Sequence, residues 1–108
     1  MKQTADDLRG VLAATLTDEA VWWPGRGPST TADGRQKFCA CTAIGDYLRV
    51  VRPNVWCDRY DRARGAVRRA TGQSAAEMLP VWNDAPERTY AEVRAAFELA
   101  IAAEEASP

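Results

Sequence analysis

Apolar residues in this chain recur three and four positions apart in four separate stretches. No segment sustains the apolar–polar alternation of a half-buried strand. That spacing gathers each apolar set on one face of a helix, and packing helix against helix is how such faces leave water. Leu8, Val11, Leu12 and Leu16 predict a first helix from about Ala5 to Leu16, with Thr4 as N-cap and Asp7 in the capping-box place. Cys41, Ile44, Leu48 and Val51, with Phe38 at one edge, predict a second from about Lys37 to Val51, and Gly45 beside that face lets another helix approach. Trp56, Tyr60, Ala63, Val67 and Ala70 predict a third from about Val55 to Ala70, capped by Asn54 and ended by Thr71-Gly72. Val93, Phe97, Ala100 and Ile101 predict the last, from about Tyr90 to Glu104, opened by a Thr89/Glu92 capping box.

Shorter signals fill the rest. Thr17 caps an expected turn through Asp18 to Trp23, stopped by Pro24. Residues 25–34 (GRGPSTTADG) form the one long loop, rich in Gly, Pro, Ser and Thr. Ser74 and Glu77 predict a short helix near Ala75 to Trp82, bent or started by Pro80, and Asn83-Asp84-Ala85-Pro86 makes a corner. Residues 105–108 are expected as a frayed tail. A strand pair near Trp22 or Gln36 has no support in the pattern. The prediction is an all-α, single-domain bundle of four main helices plus one or two short ones.

The 108 residues are enough for one domain with a core of its own. With 46% apolar and 27% charged residues, disorder over the whole chain is not expected. No apolar run approaches the roughly 20 residues of a membrane helix. The opening MKQTADDLRG lacks the apolar core of a secretory signal, so a cytoplasmic protein with no membrane role is expected.

The chain has no histidine, which removes the commonest general base and zinc ligand. Its three cysteines, Cys39, Cys41 and Cys57, are odd in number and lack Cys-x-x-Cys spacing. On one helix Cys39 and Cys41 point about 200° apart, with Cys41 toward the core and Cys39 as the accessible thiol beside Asp46. No metal, cofactor or catalytic residue is therefore assigned. A small cysteine-dependent enzyme or metal protein is the third reading. Gly25-Arg26-Gly27 is not a phosphate loop, because no Gly-Lys-Ser/Thr opens a helix after it.

Charge is uneven. Arginines dominate from Tyr47 to Gly72 and acidic residues from Gln73 to Pro108. Arg59, Arg62 and Arg69 flank the third-helix stripe on one side, with Arg64 and Arg68 on the other. Such a helix suits nucleic acid. It equally suits arginine stems covering an apolar edge while the acidic last helix supplies partners. The net charge of −1 favours the second use. Adjacent Trp22 and Trp23 cannot face one direction. An exposed Trp near Arg has the composition of a protein-binding hot spot, so Trp22, Trp23, Arg26, Arg59, Arg62 and Arg69 are the candidate protein interface. Ala91, Ala95, Leu99 and Ala102 form a second, milder apolar face on the last helix, a candidate homodimer surface.

The run Trp82-Asn83-Asp84-Ala85-Pro86-Glu87-Arg88-Thr89-Tyr90-Ala91-Glu92-Val93 resembles the C-terminal signature of a family of small actinobacterial and actinophage proteins of unknown function. Phe38-Cys39-Ala40-Cys41-Thr42-Ala43-Ile44-Gly45, Trp22 and Ala32-Asp33-Gly34-Arg35 are similar to its other elements. The resemblance spans roughly Leu8 to Ala103. It implies an intracellular protein from a high-GC actinobacterium or its virus, and it implies no reaction. The leading expectation is a non-enzymatic interaction or regulatory module, such as a phage anti-defence inhibitor acting on a host protein. Nucleic-acid binding through the third helix is the second.

Overall fold

The helical periodicity of the sequence is realised as five α-helices and one 3-10 turn in the computed structural model, which describes residues 2–25, 29–73 and 78–106. Helix α1 spans Gln3–Ala14, α2 Ala40–Val51, α3 Trp56–Ala70, α4 Leu79–Asn83 and α5 Tyr90–Ala106, with the 3-10 turn at Glu19–Val21. Helix α1 packs on α5, α2 and α3. Helix α3 packs between α5 and α2, and α4 lies on α2. The radius of gyration, 13.1 Å, is that of one compact domain of this length.

Leu8, Ile44, Leu48, Val67, Val93 and Phe97 are fully buried in one continuous core, and Trp22, Phe38, Tyr47, Trp56, Tyr60 and Trp82 cover its margins. Each fully buried large side chain contributes about 1.5–3 kcal/mol relative to exposure, so the stripes account for the assembly of the bundle. Gly10 sits in the middle of α1, where a glycine costs about 1 kcal/mol against alanine. Any larger residue there would overlap the ring of Tyr47, so the glycine makes room for that α2 side chain against α1. At Gly45 the approaching element is α3, whose Tyr60 ring lies 3.6 Å from where a β-carbon would stand.

Several boundaries differ from the sequence expectation. Helix α1 starts at Gln3 and runs through Thr4, because the Lys2 carbonyl already accepts from the Asp6 amide. It ends at Ala14, where Thr15 turns its hydroxyl onto the Val11 carbonyl (2.6 Å), and Leu16 is buried beyond the helix. Asp18, not Thr17, caps the 3-10 turn, accepting from the Ala20 amide at 2.9 Å. Helix α2 starts at Ala40 rather than Lys37, and α3 at Trp56 with no side-chain cap from Asn54. Residues 74–77, which hold the Ser74/Glu77 pattern, lie outside the described residues. The helix after them begins at Leu79 with Pro80 in its first turn, where its missing N–H is harmless. Helix α5 extends over Glu105 and Ala106, part of the expected tail, and Glu105 pairs with Arg9 of α1.

Residues 29–38 carry two isolated bridges, antiparallel Thr30–Gln36 and parallel Trp22–Phe38, and no strand forms among the described residues. Gly34 takes φ 87° in the turn between them, a conformation that favours glycine. Arg35 fastens this turn to the rest of the fold, pairing with Asp33 at 3.2 Å and Asp18 at 3.0 Å. The Asp33-Gly34-Arg35 element is thus a pinned turn.

Candidate functional site

Asn83 is fully buried at the end of α4 and joins three segments. Its Oδ1 accepts from the Trp22 indole N–H at 2.9 Å and from the Ala40 amide, the first of α2, at 3.1 Å. Its Nδ2 donates to the Trp23 carbonyl at 3.1 Å and to Asp84 Oδ1 at 3.0 Å. The rest of the Trp82–Val93 run is also absorbed by structure. Arg88 stacks on Trp82 at 4.1 Å, donates to the Trp82 carbonyl at 2.9 Å and pairs with Glu92 at 2.9 Å. Thr89 and Glu92 close the expected capping box: Thr89 Oγ1 accepts from the Glu92 amide at 3.2 Å, and Glu92 accepts from the Thr89 amide at 3.0 Å. The Thr89 amide, then Arg88, hold the Glu92 carboxyl below its ordinary value. Tyr90 donates to the Leu16 carbonyl at 2.6 Å and ties the start of α5 to the segment that follows α1.

The predicted interface residues have different surroundings. Trp22 and Trp23 are both half-buried rather than one of them exposed. Trp22 packs on the core margin through its bond to Asn83. Trp23 lies against Gly25, with Lys37 Nζ 5.3 Å from its ring centre. Arg26 lies outside the described residues. Arg59 is withdrawn from any partner: its Nε and Nη2 each reach Asp7 at 2.7 Å, and the two side chains are only 14% and 6% exposed. Asp7 raises the Arg59 pKa by hydrogen bonding, so this guanidinium is a fixed cation between α1 and α3. Arg62 is exposed and pairs with no carboxylate among the described residues. Arg69 meets Glu104 at 3.9 Å, so the basic third helix and acidic last helix do pair. Ala91, Ala95, Leu99 and Ala102 are all exposed along α5.

The cysteines are dispersed in role. Cys39 is the N-cap of α2 rather than a residue within it, and it shares a groove with Asp46; its Sγ accepts from the Thr42 amide at 3.4 Å while Thr42 Oγ1 accepts from the Cys39 amide at 3.0 Å. It is half-buried. Cys41 is buried, and burial pushes its thiol up to about 11 and that of the adjoining Tyr60 phenol to about 12. Cys57 is the exposed thiol. Among the described residues no three Cys, Asp or Glu side chains are gathered to hold a metal ion.

Two apolar residues that the helical stripes did not single out stand out instead. Met78 and Val81, on either side of Pro80, are 59% and 66% exposed. With Trp23, Lys37, Cys39, Asp46 and Asp84 they line a groove of about 570 Å³ between α4, the start of α2 and the Trp23 segment. Their signal in the sequence is that Leu79 and Trp82 supply the inward face of a short helix, which leaves Met78 and Val81 off it. No helix among the described residues is long and apolar enough to cross a membrane.

A family model described as a family of unknown function, DUF6197, matches residues 1–103. No curated protein matches the chain, and no solved structure does.

Proposed function

The chain belongs to DUF6197, a family of unknown function, and from its surface we propose that it is a non-enzymatic protein-interaction module whose partner seats in the Trp23–Met78–Val81 groove. The exposed pair Met78 and Val81 beside the Trp23 ring is the observation that carries this reading. Interface cores are enriched in Trp and Met and depleted in Lys, Asp and Glu. This groove supplies Trp23, Met78, Pro80 and Val81 as its apolar lining, together with Lys37, Asp46 and Asp84 as charged lining. Asn83 fixes Trp23 and α4 relative to each other, so the surface is preformed and little ordering entropy opposes binding. On this reading Trp23 belongs to the interface, while Arg59 is taken up by the ion pair with Asp7. The biological form of the role is regulatory: a phage or mobile-element protein that occupies a host protein, as an anti-defence inhibitor does. The resemblance of the Trp82–Val93 segment supports that form.

Native mass spectrometry after gentle affinity purification from cells that encode the protein tests the reading. A co-purifying protein at fixed stoichiometry, lost from the Met78→Asp/Val81→Asp variant, is expected. Both positions are exposed, so circular dichroism of the variant should be unchanged. Equal recovery of the partner by the charged variant, or recovery of the bare chain alone, overturns the reading.

A further inference from the structure

A second cleft, of about 400 Å³, runs along α3 to the start of α4 and is lined by Asp61, Arg64, Gly65, Arg68, Arg69, Met78 and Leu79. Three guanidinium groups share it with one carboxylate. That carboxylate is poorly engaged: Asp61 meets Arg64 at 3.5 Å, the far limit of a hydrogen bond. Arg69 reaches Glu104 only at 3.9 Å, and Arg68 pairs with no carboxylate among the described residues. Arg64 and Arg68 are one helical turn apart, where like charges repel. Cationic side chains in the last turn of a helix complement its dipole, which accounts for Arg68 and Arg69. Arg64 lies over the Tyr60 ring at 5.3 Å and meets Asp61, so its guanidinium is held at the cleft, and the dipole does not account for Gly65. A glycine inside a helix weakens it. Here Arg69 Nη1 lies 3.3 Å from the point a β-carbon would take, so an alanine would shift that guanidinium by a few tenths of an ångström.

We propose that this cleft binds the phosphate group of a small phosphomonoester, with Arg64, Arg68 and Arg69 as its donors. Arginine presents its N–H groups in a planar fork that matches phosphate oxygens two at a time. An anion among the three also removes the repulsion along the helix. The cleft favours a small ligand over a nucleic-acid strand because the cations do not continue as a track. Arg59 is closed on Asp7, and Arg62 is not among the lining residues.

The test is a titration of the protein with inorganic phosphate at low salt, read from the arginine Nε–H signals by NMR, then repeated with adenosine monophosphate and with a single-stranded DNA oligonucleotide. Saturable shifts at Arg64, Arg68 and Arg69, with Arg59 and Arg62 unmoved, are expected for the first two. Arg68→Ala should weaken binding at least tenfold, with partial recovery in Arg68→Lys. Gly65→Ala should weaken binding while leaving thermal stability equal or higher, which a purely structural role for the cluster does not predict. No saturable shift at millimolar phosphate overturns the proposal. So does oligonucleotide binding that moves Arg62 as much as Arg68 and is weakened equally by Arg62→Ala, since that result describes a polymer-binding surface.

Discussion

Replacing Asn83 with alanine removes four hydrogen bonds and strands three partners: the Ala40 amide, the Trp22 indole N–H and the Trp23 carbonyl. Ala40 is fully buried, so water cannot replace the lost acceptor there, whereas the two tryptophans are half-buried and partly hydrated once released. At about 1–3 kcal/mol for each buried group left unpaired, and the low end for the two tryptophan groups, the loss is about 3–5 kcal/mol. That is a large share of the roughly 5–15 kcal/mol that holds a domain folded. Urea unfolding followed by tryptophan fluorescence measures it. Asn83→Asp gives the internal control. Its Oδ1 still accepts from Trp22 and Ala40, but a carboxylate faces the Trp23 carbonyl and Asp84 where Nδ2 donated. Burial raises the folded-state pKa of this aspartic acid above its unfolded value, so protonation favours the folded form. The penalty relative to Asn83→Ala therefore shrinks as pH falls from 7 toward 5. An Asn83→Ala protein within about 0.5 kcal/mol of wild type, the range of an ordinary surface change, refutes the reasoning.

Three further outcomes are expected. Arg59→Ala leaves the Asp7 carboxylate buried and alone and should cost about 3 kcal/mol in urea unfolding, while an apolar pair, Asp7→Leu with Arg59→Met, should recover most of it; equal stability of the wild type and both variants contradicts the ion-pair reading. Iodoacetamide should label Cys57 quickly and Cys41 only after unfolding, because burial holds the Cys41 thiol at about 11, as peptide mass mapping would show. The Glu92, Asp18 and Asp33 carboxyls have folded pKa values below their ordinary 4.5, 3.8 and 3.8, owing first to the Thr89 amide, Arg35 and Thr31 respectively. Their contribution is complete above those values and is lost as pH falls through the lower folded ones. Acid titration by circular dichroism should show stability declining below about pH 4.5, and Glu92→Gln should flatten that decline.

The helices were legible because each buries one stripe. Leu8, Val11, Ile44, Leu48, Val67, Val93 and Phe97 all fell where the spacing placed them. The start of α2 was not, since cysteine is outside the usual set of capping residues and Thr42 completes its box in place of Glu or Gln. The Thr89/Glu92 box uses the standard residues and was read correctly. What joins the segments was hidden by distance along the chain. Asn83 looks like a corner residue until Trp22, 61 positions away, and Ala40, 43 away, are brought to it. Arg59 looks like a surface cation until Asp7, 52 positions away, closes on it. Adjacency showed that the Trp22 and Trp23 rings diverge, but not that Asn83 holds one and Gly25 and Lys37 cover the other.

The most direct test of the partner surface is hydrogen–deuterium exchange on the protein alone and in complex with the protein that co-purifies with it. Slower exchange in the complex across residues 78–84 and 22–25, with residues 91–102 unchanged, is the expected result. Protection confined to residues 91–102, or exchange at residues 78–84 identical in the two states, contradicts the placement of the partner in the Trp23–Met78–Val81 groove.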